Sequence, residues 1–196
     1  MKIVILDTSC GNFYSLQSTI KKIGFSSKIT NKKKLILDAD KIFLPGVGSA
    51  DSIIKKLKND NLIKLIQDCK KDVLGICLGM QILGKYSEEN EGIATLGILN
   101  YSVNLMDNRY KPIPHMGWNK VNNIISSPLF NNINQNSYFY FSHSYNIDIN
   151  NNTIATTNYE KEFSSVIQKE NFFGVQFHPE RSGINGIQLI KNFLNI

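Results

Sequence analysis

At 196 residues, with 42% hydrophobic and 19% charged side chains, the sequence reads as one globular domain, residues 1–196, and not as a disordered chain. The net charge of +6 and pI near 9.1 raise nucleic acid as a partner. Nearly all of that charge is lysine spread along the chain, with arginine only at 109 and 181 and no nucleic-acid motif, so a solvated basic surface and no nucleic-acid partner are expected. Cys10, Cys69 and Cys77 are an odd set with no CxxC spacing, which argues against a disulfide framework or zinc site and fits a reducing compartment. No apolar run reaches membrane-spanning length, and Met1-Lys2-Ile3-Val4-Ile5-Leu6-Asp7 reads as a strand, not a signal peptide. A cytoplasmic chain with no membrane partner is therefore expected.

In chain order, residues 3–6 form a continuous apolar run, as in a central parallel strand. Leu16, Ile20 and Ile23 recur at helical spacing, and Gly24 ends that helix. Residues 41–44 predict a second buried strand, stopped by Pro45-Gly46-Val47-Gly48. Leu62, Leu65, Ile66 and Cys69 mark one helical face, which makes Cys69 a core residue. A third buried strand covers 73–76, and a helix-like stretch runs over 78–86. The second half changes character: 138–141, 153–157, 164–168 and 172–177 predict strands, with a hairpin turn at 169–171. Ile187, Ile190 and Leu194 predict a closing helix, while 131–136 and 150–152 are polar loops. The fold class expected is α/β: an open, mainly parallel sheet flanked by helices, with an added antiparallel portion in the second half.

Gly75-Ile76-Cys77-Leu78-Gly79 places a glycine-flanked cysteine between a strand and a helix. That is the setting of a nucleophile elbow, with Cys in the place of Ser. A cysteine at a helix N-terminus also sees the positive end of the dipole, which favours thiolate. His178-Pro179-Glu180 supplies a base and a carboxylate. Proline pushes His178 toward an extended conformation, and residues two apart in an extended chain project to one side. Alone, Cys77 reads as a core residue and His178 as a turn residue; together the two segments read as a catalytic Cys77, His178, Glu180 triad. Pro45-Gly46-Val47-Gly48 lies at a strand's C-terminal end, where its N–H groups and that of Leu78 can form an oxyanion hole. Gln81, four residues after Cys77, shares its helical face. His143, in Ser142-His143-Ser144-Tyr145, reads more readily as a structural hydrogen-bonder than as a proton-transfer group.

Gly75-Ile76-Cys77-Leu78-Gly79-Met80-Gln81 and Phe177-His178-Pro179-Glu180 resemble the triad-type, class I glutamine amidotransferases. Ile5-Leu6-Asp7 with Gly11-Asn12, Phe43-Leu44-Pro45-Gly46-Val47-Gly48, Pro114-His115-Met116-Gly117-Trp118-Asn119 and Tyr140-Phe141-Ser142-His143-Ser144-Tyr145 narrow the resemblance. They are similar to the glutaminase subunits of imidazole glycerol phosphate synthases. One departure is Ser9 in Asp7-Thr8-Ser9-Cys10-Gly11-Asn12, where many family members have glycine.

The resemblance implies glutamine hydrolysis: Cys77 attacks the side-chain amide, His178 moves protons and Glu180 holds the imidazole. Backbone N–H groups of Leu78, Gly46, Val47 and Gly48 meet the oxyanion, and Gln81, Glu89, Ser142, His143 and Ser144 bind glutamine. It also implies a heterodimer with a (β/α)₈-barrel cyclase, since the glutaminase fold fills the chain, and no metal or organic cofactor. A paralogous glutaminase serving a surface-sugar amidotransferase, a cysteine peptidase of related fold and an inactive binding module are the alternatives.

Overall fold

The computed structural model describes residues 1–8, 11–109, 111–123 and 125–196. The chain begins with β1 (Ile3–Leu6), α1 (Phe13–Lys22), β2 (Ser27–Thr30), α2 (Lys33–Leu37) and β3 (Lys41–Gly46). It continues through α3 (Ala50–Asn59), α4 (Ile63–Gln67), β4 (Asp72–Cys77), α5 (Leu78–Gln81), β5 (Tyr86–Ser87), β6 (Ile93–Ala94) and β7 (Ser102–Leu105). Then come β8 (His115–Asn123), β9 (Ser137–His143), β10 (Tyr145–Ile147), β11 (Thr153–Tyr159), β12 (Lys161–Lys169), β13 (Phe172–Val175) and α6 (Gly183–Leu194).

Nine strands form one sheet in the order β2-β1-β3-β4-β13-β12-β11-β8-β9, and β10-β7-β5-β6 form a smaller one. From β2 to β13 all neighbours are parallel. From β13 to β9 all are antiparallel. The expected fold class therefore holds. Strands covered on both faces need apolar residues at successive positions. In β1, Ile3 and Ile5 join a core completed by Leu16 and Ile20 of α1 and Leu189, Ile190 and Phe193 of α6. Val4 and Leu6 point the other way, to Ile53 and Leu57 of α3 and to Leu62 and Ile66.

Several local expectations are corrected. The second strand does not stop at Leu44: Pro45 pairs with Ile76 and Gly46 with Cys77, so only Val47-Gly48 turns away. The helix after Cys77 ends at Gln81 and not at residue 86. Tertiary contacts stop it: the Leu96 N–H bonds the Ile82 carbonyl, the Lys85 N–H bonds that of Tyr101, and Tyr86 enters β5. Cys69 is half-buried and not core, because α4 ends at Gln67 and its sulfur sits 3.7 Å from the Lys71 carbonyl oxygen. In α6 the buried stripe is Leu189, Ile190, Phe193 and Leu194, which leaves Ile187 exposed. The question raised by Ser9, together with Cys10, lies outside the described residues.

The elbow depends on a close approach between α5 and β3. A Cβ on Gly79 would land on the carbonyl oxygen of Leu44, and one on Gly75 would meet the Gly79 backbone. Both obstacles are main chain, so neither can rotate aside. Gly79→Ala is expected to cost about 1–3 kcal/mol or more, as overpacking against a fixed backbone does. Urea unfolding followed by circular dichroism checks this; an unchanged midpoint would mean that α5 does not sit against β3 as described.

Candidate active site

Cys77 ends β4 and immediately precedes α5. Its backbone has φ +54° and ψ −113°, outside the regions that suit a side-chain-bearing residue. Such conformations cost of order 1–3 kcal/mol and persist when the surroundings over-determine them. Here the surroundings are the β3–β4 ladder below and the α5 turn above. The strain turns the side chain out at the C-terminal end of the parallel strands, into a cleft of about 320 Å³. Because α5 is a single turn, its dipole is smaller than a helix reaching residue 86 would provide. Stabilisation of a thiolate therefore falls mainly to neighbouring groups.

The register of β13 brings those groups in. Val175 lies opposite Ile76, so residues leaving β13 run beside Cys77. His178 is extended, at φ −100° and ψ 94°, as the following proline requires. Glu180 does not continue that extended chain; it sits in a 3₁₀ turn, Pro179–Arg181, that curls its carboxylate back beneath the ring. His178 Nδ1 donates to Glu180 Oε1 at 2.9 Å, and both side chains are almost wholly buried. The Nε2 edge is left for the Cys77 sulfur, which lines the same cleft. Burial alone would lower the His178 imidazole; the Cys77 sulfur and the Glu180 carboxylate outweigh it and raise it to about 10. The arrangement favours an imidazolium at His178 beside the Cys77 sulfur.

Two residues with no role assigned from sequence support the His178–Glu180 pair. Asn12 Nδ2 donates to Glu180 Oε1 at 3.1 Å, fixing the carboxylate from the loop after β1. Ser182 Oγ donates to the His178 carbonyl at 2.6 Å and accepts the Tyr140 N–H at 2.9 Å, tying the His178 turn to β9. Asn12 belongs to the Gly11-Asn12 segment, so its signal was present.

The remaining expected site residues divide. Val47, Gly48 and Leu78 line the cleft with Cys77. Gly46 does not; it is spent on the sheet, opposite Cys77. Gly48, at φ +90°, lets the chain turn away from the strand. Gln81, Glu89, Ser142, His143 and Ser144 also line the cleft. Glu89 is not a free surface acid: its Oε2 accepts the Ala50 N–H at 2.6 Å, beside the Ser49 cap of α3. Gln81 Nε2 donates to the Tyr145 carbonyl at 2.9 Å, leaving Oε1 for a ligand. His143 has both ring nitrogens committed: Nδ1 donates to the Tyr145 carbonyl at 2.8 Å, so Nε2 accepts from His115 Nδ1 at 3.0 Å. Any part it takes in holding a ligand is through its backbone. Among the described residues no group of three or more His, Cys, Asp or Glu is placed to hold a metal, and no helix is long and apolar enough to cross a membrane.

The His115–His143 pair is a neutral structural unit. Burial, then the charge of Lys111, lowers His115 to about 4. Burial, then His115, lowers His143 to about 3 against the opposing pull of the Tyr145 carbonyl. Stacking of His115 on Phe141 and Tyr159 leaves no room for water around a charged ring.

The family model for class I glutamine amidotransferases matches residues 4–196. The chain is 52% identical to the imidazole glycerol phosphate synthase subunit HisH of Blochmanniella floridana, over 196 residues and the full length of both. It is 48% identical to the HisH subunit of Salmonella typhimurium, again over both full lengths. Solved structures share the fold at low identity. A putative GMP synthase component from Thermoplasma acidophilum aligns with TM-score 0.76 and 21% identity, covering 100% of this chain and 92% of that one. PurLQS from Thermotoga maritima aligns with TM-score 0.75 and 19% identity, covering 99% and 97%.

The lowered histidines set an acid limit on stability. Between pH 6.5 and about 4 the unfolded chain takes up protons at His115 and His143 that the folded chain refuses. Their contribution is therefore present above pH 6.5 and is lost as pH falls toward their folded values. Urea midpoints are expected to drop across that window, and less steeply in His115→Gln. Equal slopes for the two proteins would show that His115 is not held neutral.

Proposed function

Because the chain belongs to the class I glutamine amidotransferases, we propose that it hydrolyses glutamine to glutamate and ammonia as one subunit of an imidazole glycerol phosphate synthase, passing the ammonia to a partner cyclase. The observation that carries the chemistry is the His178 Nδ1–Glu180 Oε1 bond of 2.9 Å, which leaves Nε2 to the Cys77 sulfur in one cleft. The Cys77 thiolate attacks the amide carbon of glutamine. The N–H groups of Leu78 and the Val47-Gly48 turn stabilise the oxyanion. The His178 imidazolium gives its proton to the amide nitrogen, which leaves as ammonia. Water then attacks the γ-glutamyl thioester, His178 takes the water's proton, and glutamate departs from a regenerated thiolate. Glu89, with one oxygen uncommitted beyond its bond to Ala50, is placed to take the substrate's α-ammonium, and Gln81 Oε1 and the Ser142–Ser144 backbone complete the glutamine site. No step in this route needs a metal or an organic cofactor. The free thiols of Cys69 and Cys77 suit the reducing cytoplasm, where we place the reaction.

The partner in this reading is a (β/α)₈-barrel cyclase that uses the ammonia to form imidazole glycerol phosphate and aminoimidazole carboxamide ribonucleotide. Supporting it is the outer face of the β8–β9 hairpin. Met116, Trp118 and Tyr138 are 62%, 55% and 49% exposed there. Arg181, which lines the cleft, lies 4.6 Å over the Tyr140 ring, and Tyr140 is 6.2 Å from Trp118. An aromatic face with an arginine, continuous with the mouth of the active site, has the makeup of a binding hot spot.

Cys77→Ser is expected to abolish glutamine-dependent synthesis while synthesis from ammonium salts by the reconstituted complex survives. Substantial glutamine-driven turnover by that variant would contradict the mechanism. Trp118→Ala is expected to weaken association with the cyclase by about thirtyfold or more, the scale of a hot-spot truncation of at least ~2 kcal/mol. Calorimetric titration of cyclase into each protein reads this directly, and equal affinities would move the interface elsewhere.

A further inference from the structure

Gln176 sits between β13 and the His178 turn with no exposed surface. A buried side-chain amide must find partners or incur a desolvation cost. Its Oε1 accepts from Gln81 Nε2 at 3.0 Å, and its own Nε2 lies 3.7 Å from Cys77 Sγ, within range of an N–H···S bond. The orientation of both amides follows from a group that can only accept. The Tyr145 carbonyl takes the Gln81 Nε2 proton at 2.9 Å, so the Gln81 amide must present nitrogen on that side. The same nitrogen faces Gln176, which must answer with its oxygen and turn its own N–H toward the sulfur. The Tyr145 carbonyl is held in turn by the His143 Nδ1 proton at 2.8 Å.

We propose that Gln176 is a positioning residue for the nucleophile: its amide N–H, aimed by Gln81 and the Tyr145 carbonyl, holds the Cys77 sulfur in place and favours its anionic form. This rests on the reading of Cys77 as the nucleophile. Sulfur is a weak acceptor as a thiol and a strong one as a thiolate, so the bond strengthens when the proton leaves. In the thiol form Cys77 has a competing acceptor, the Ser142 carbonyl oxygen at 3.8 Å. Gln176 does not exchange a proton in the reaction, since an amide does not titrate; His178 remains the base. The other ionisable groups lining the cleft with the sulfur are His178 with Glu180 behind it, neutral His143, Glu89, Tyr145 and Arg181.

The test is alkylation of Cys77 by iodoacetamide without glutamine, across neutral to alkaline pH, read by mass spectrometry of the Cys77 peptide so that Cys10 and Cys69 do not interfere. Removing one hydrogen bond to a charged group corresponds to roughly a tenfold loss of thiolate at neutral pH. Gln176→Met is therefore expected to alkylate about tenfold more slowly at neutral pH and to recover at alkaline pH. Gln176→Glu, which keeps the shape and turns a carboxylate toward the sulfur, should be slower still at neutral pH. Ammonia release should fall in kcat by a similar factor with KM for glutamine little changed. Near-ultraviolet circular dichroism selects the variant that keeps native packing. A wild-type alkylation profile in a natively packed variant overturns the proposal alone. Ammonia release by Cys77→Ala would overturn the reading beneath it.

Discussion

The backbone of Cys77 is the constraint on which the site depends. A residue held at φ +54° and ψ −113° relaxes unless its neighbours prevent it. On one side the β3–β4 ladder pairs Gly46 with Cys77 itself, so the strand cannot unwind before the elbow. On the other, α5 presses against the Leu44 carbonyl through Gly79, where a methyl group has no space. Met80 then receives the Tyr101 hydroxyl on its carbonyl at 2.5 Å, pinning the short helix from the segment that ends it. The sulfur is thereby presented to the cleft by main-chain geometry.

The second half of the sheet delivers His178 to that fixed point. β13 pairs parallel to β4 and antiparallel to β12, which makes it the seam between the two halves. What leaves its C-terminal end therefore emerges beside Cys77 at the C-terminal ends of the parallel strands, where open α/β sheets bind ligands. Bonds from three directions then hold the His178 turn: the Tyr140 carbonyl accepts the His178 N–H, Ser182 bonds the His178 carbonyl, and Asn12 bonds Glu180. α1, β9 and α6 border this turn and β13 leads into it, so the grouping of Cys77, His178 and Glu180 is an outcome of the whole topology and not of one motif.

Much of this was legible in the sequence because the decisive features are local. β1, β3 and β4 are built on apolar runs, whereas the parallel edge strand β2, Ser27–Thr30, has none and went unread; the elbow and the His-Pro-Glu turn carry their glycines and proline within a few residues. What was missed depends on contacts between distant segments. The helix after Cys77 is periodic enough to run to residue 86, but Leu96 and Tyr101 take its hydrogen bonds. β8 contains alternating exposed Met116, Trp118 and Lys120, and its inward His115 is not apolar, so period-two reading fails there. Glu180 was expected beside His178 because of an extended chain, and is there because of a 3₁₀ turn. Gln176 directly precedes the Phe177-His178-Pro179-Glu180 segment, but its partner Cys77 is 99 positions away, so the contact could not be read from the chain.

The most direct test of the account is to trap the covalent intermediate. Glutamine is mixed with the cyclase-bound protein, the reaction is quenched in acid within the first turnovers, and the peptides are mapped by mass spectrometry. A γ-glutamyl thioester confined to Cys77 is the predicted result, increased in Glu180→Gln if slowed deacylation lets it accumulate. Ammonia release with Cys77 unmodified at every quench time, or a glutamyl adduct on another residue, would contradict the account.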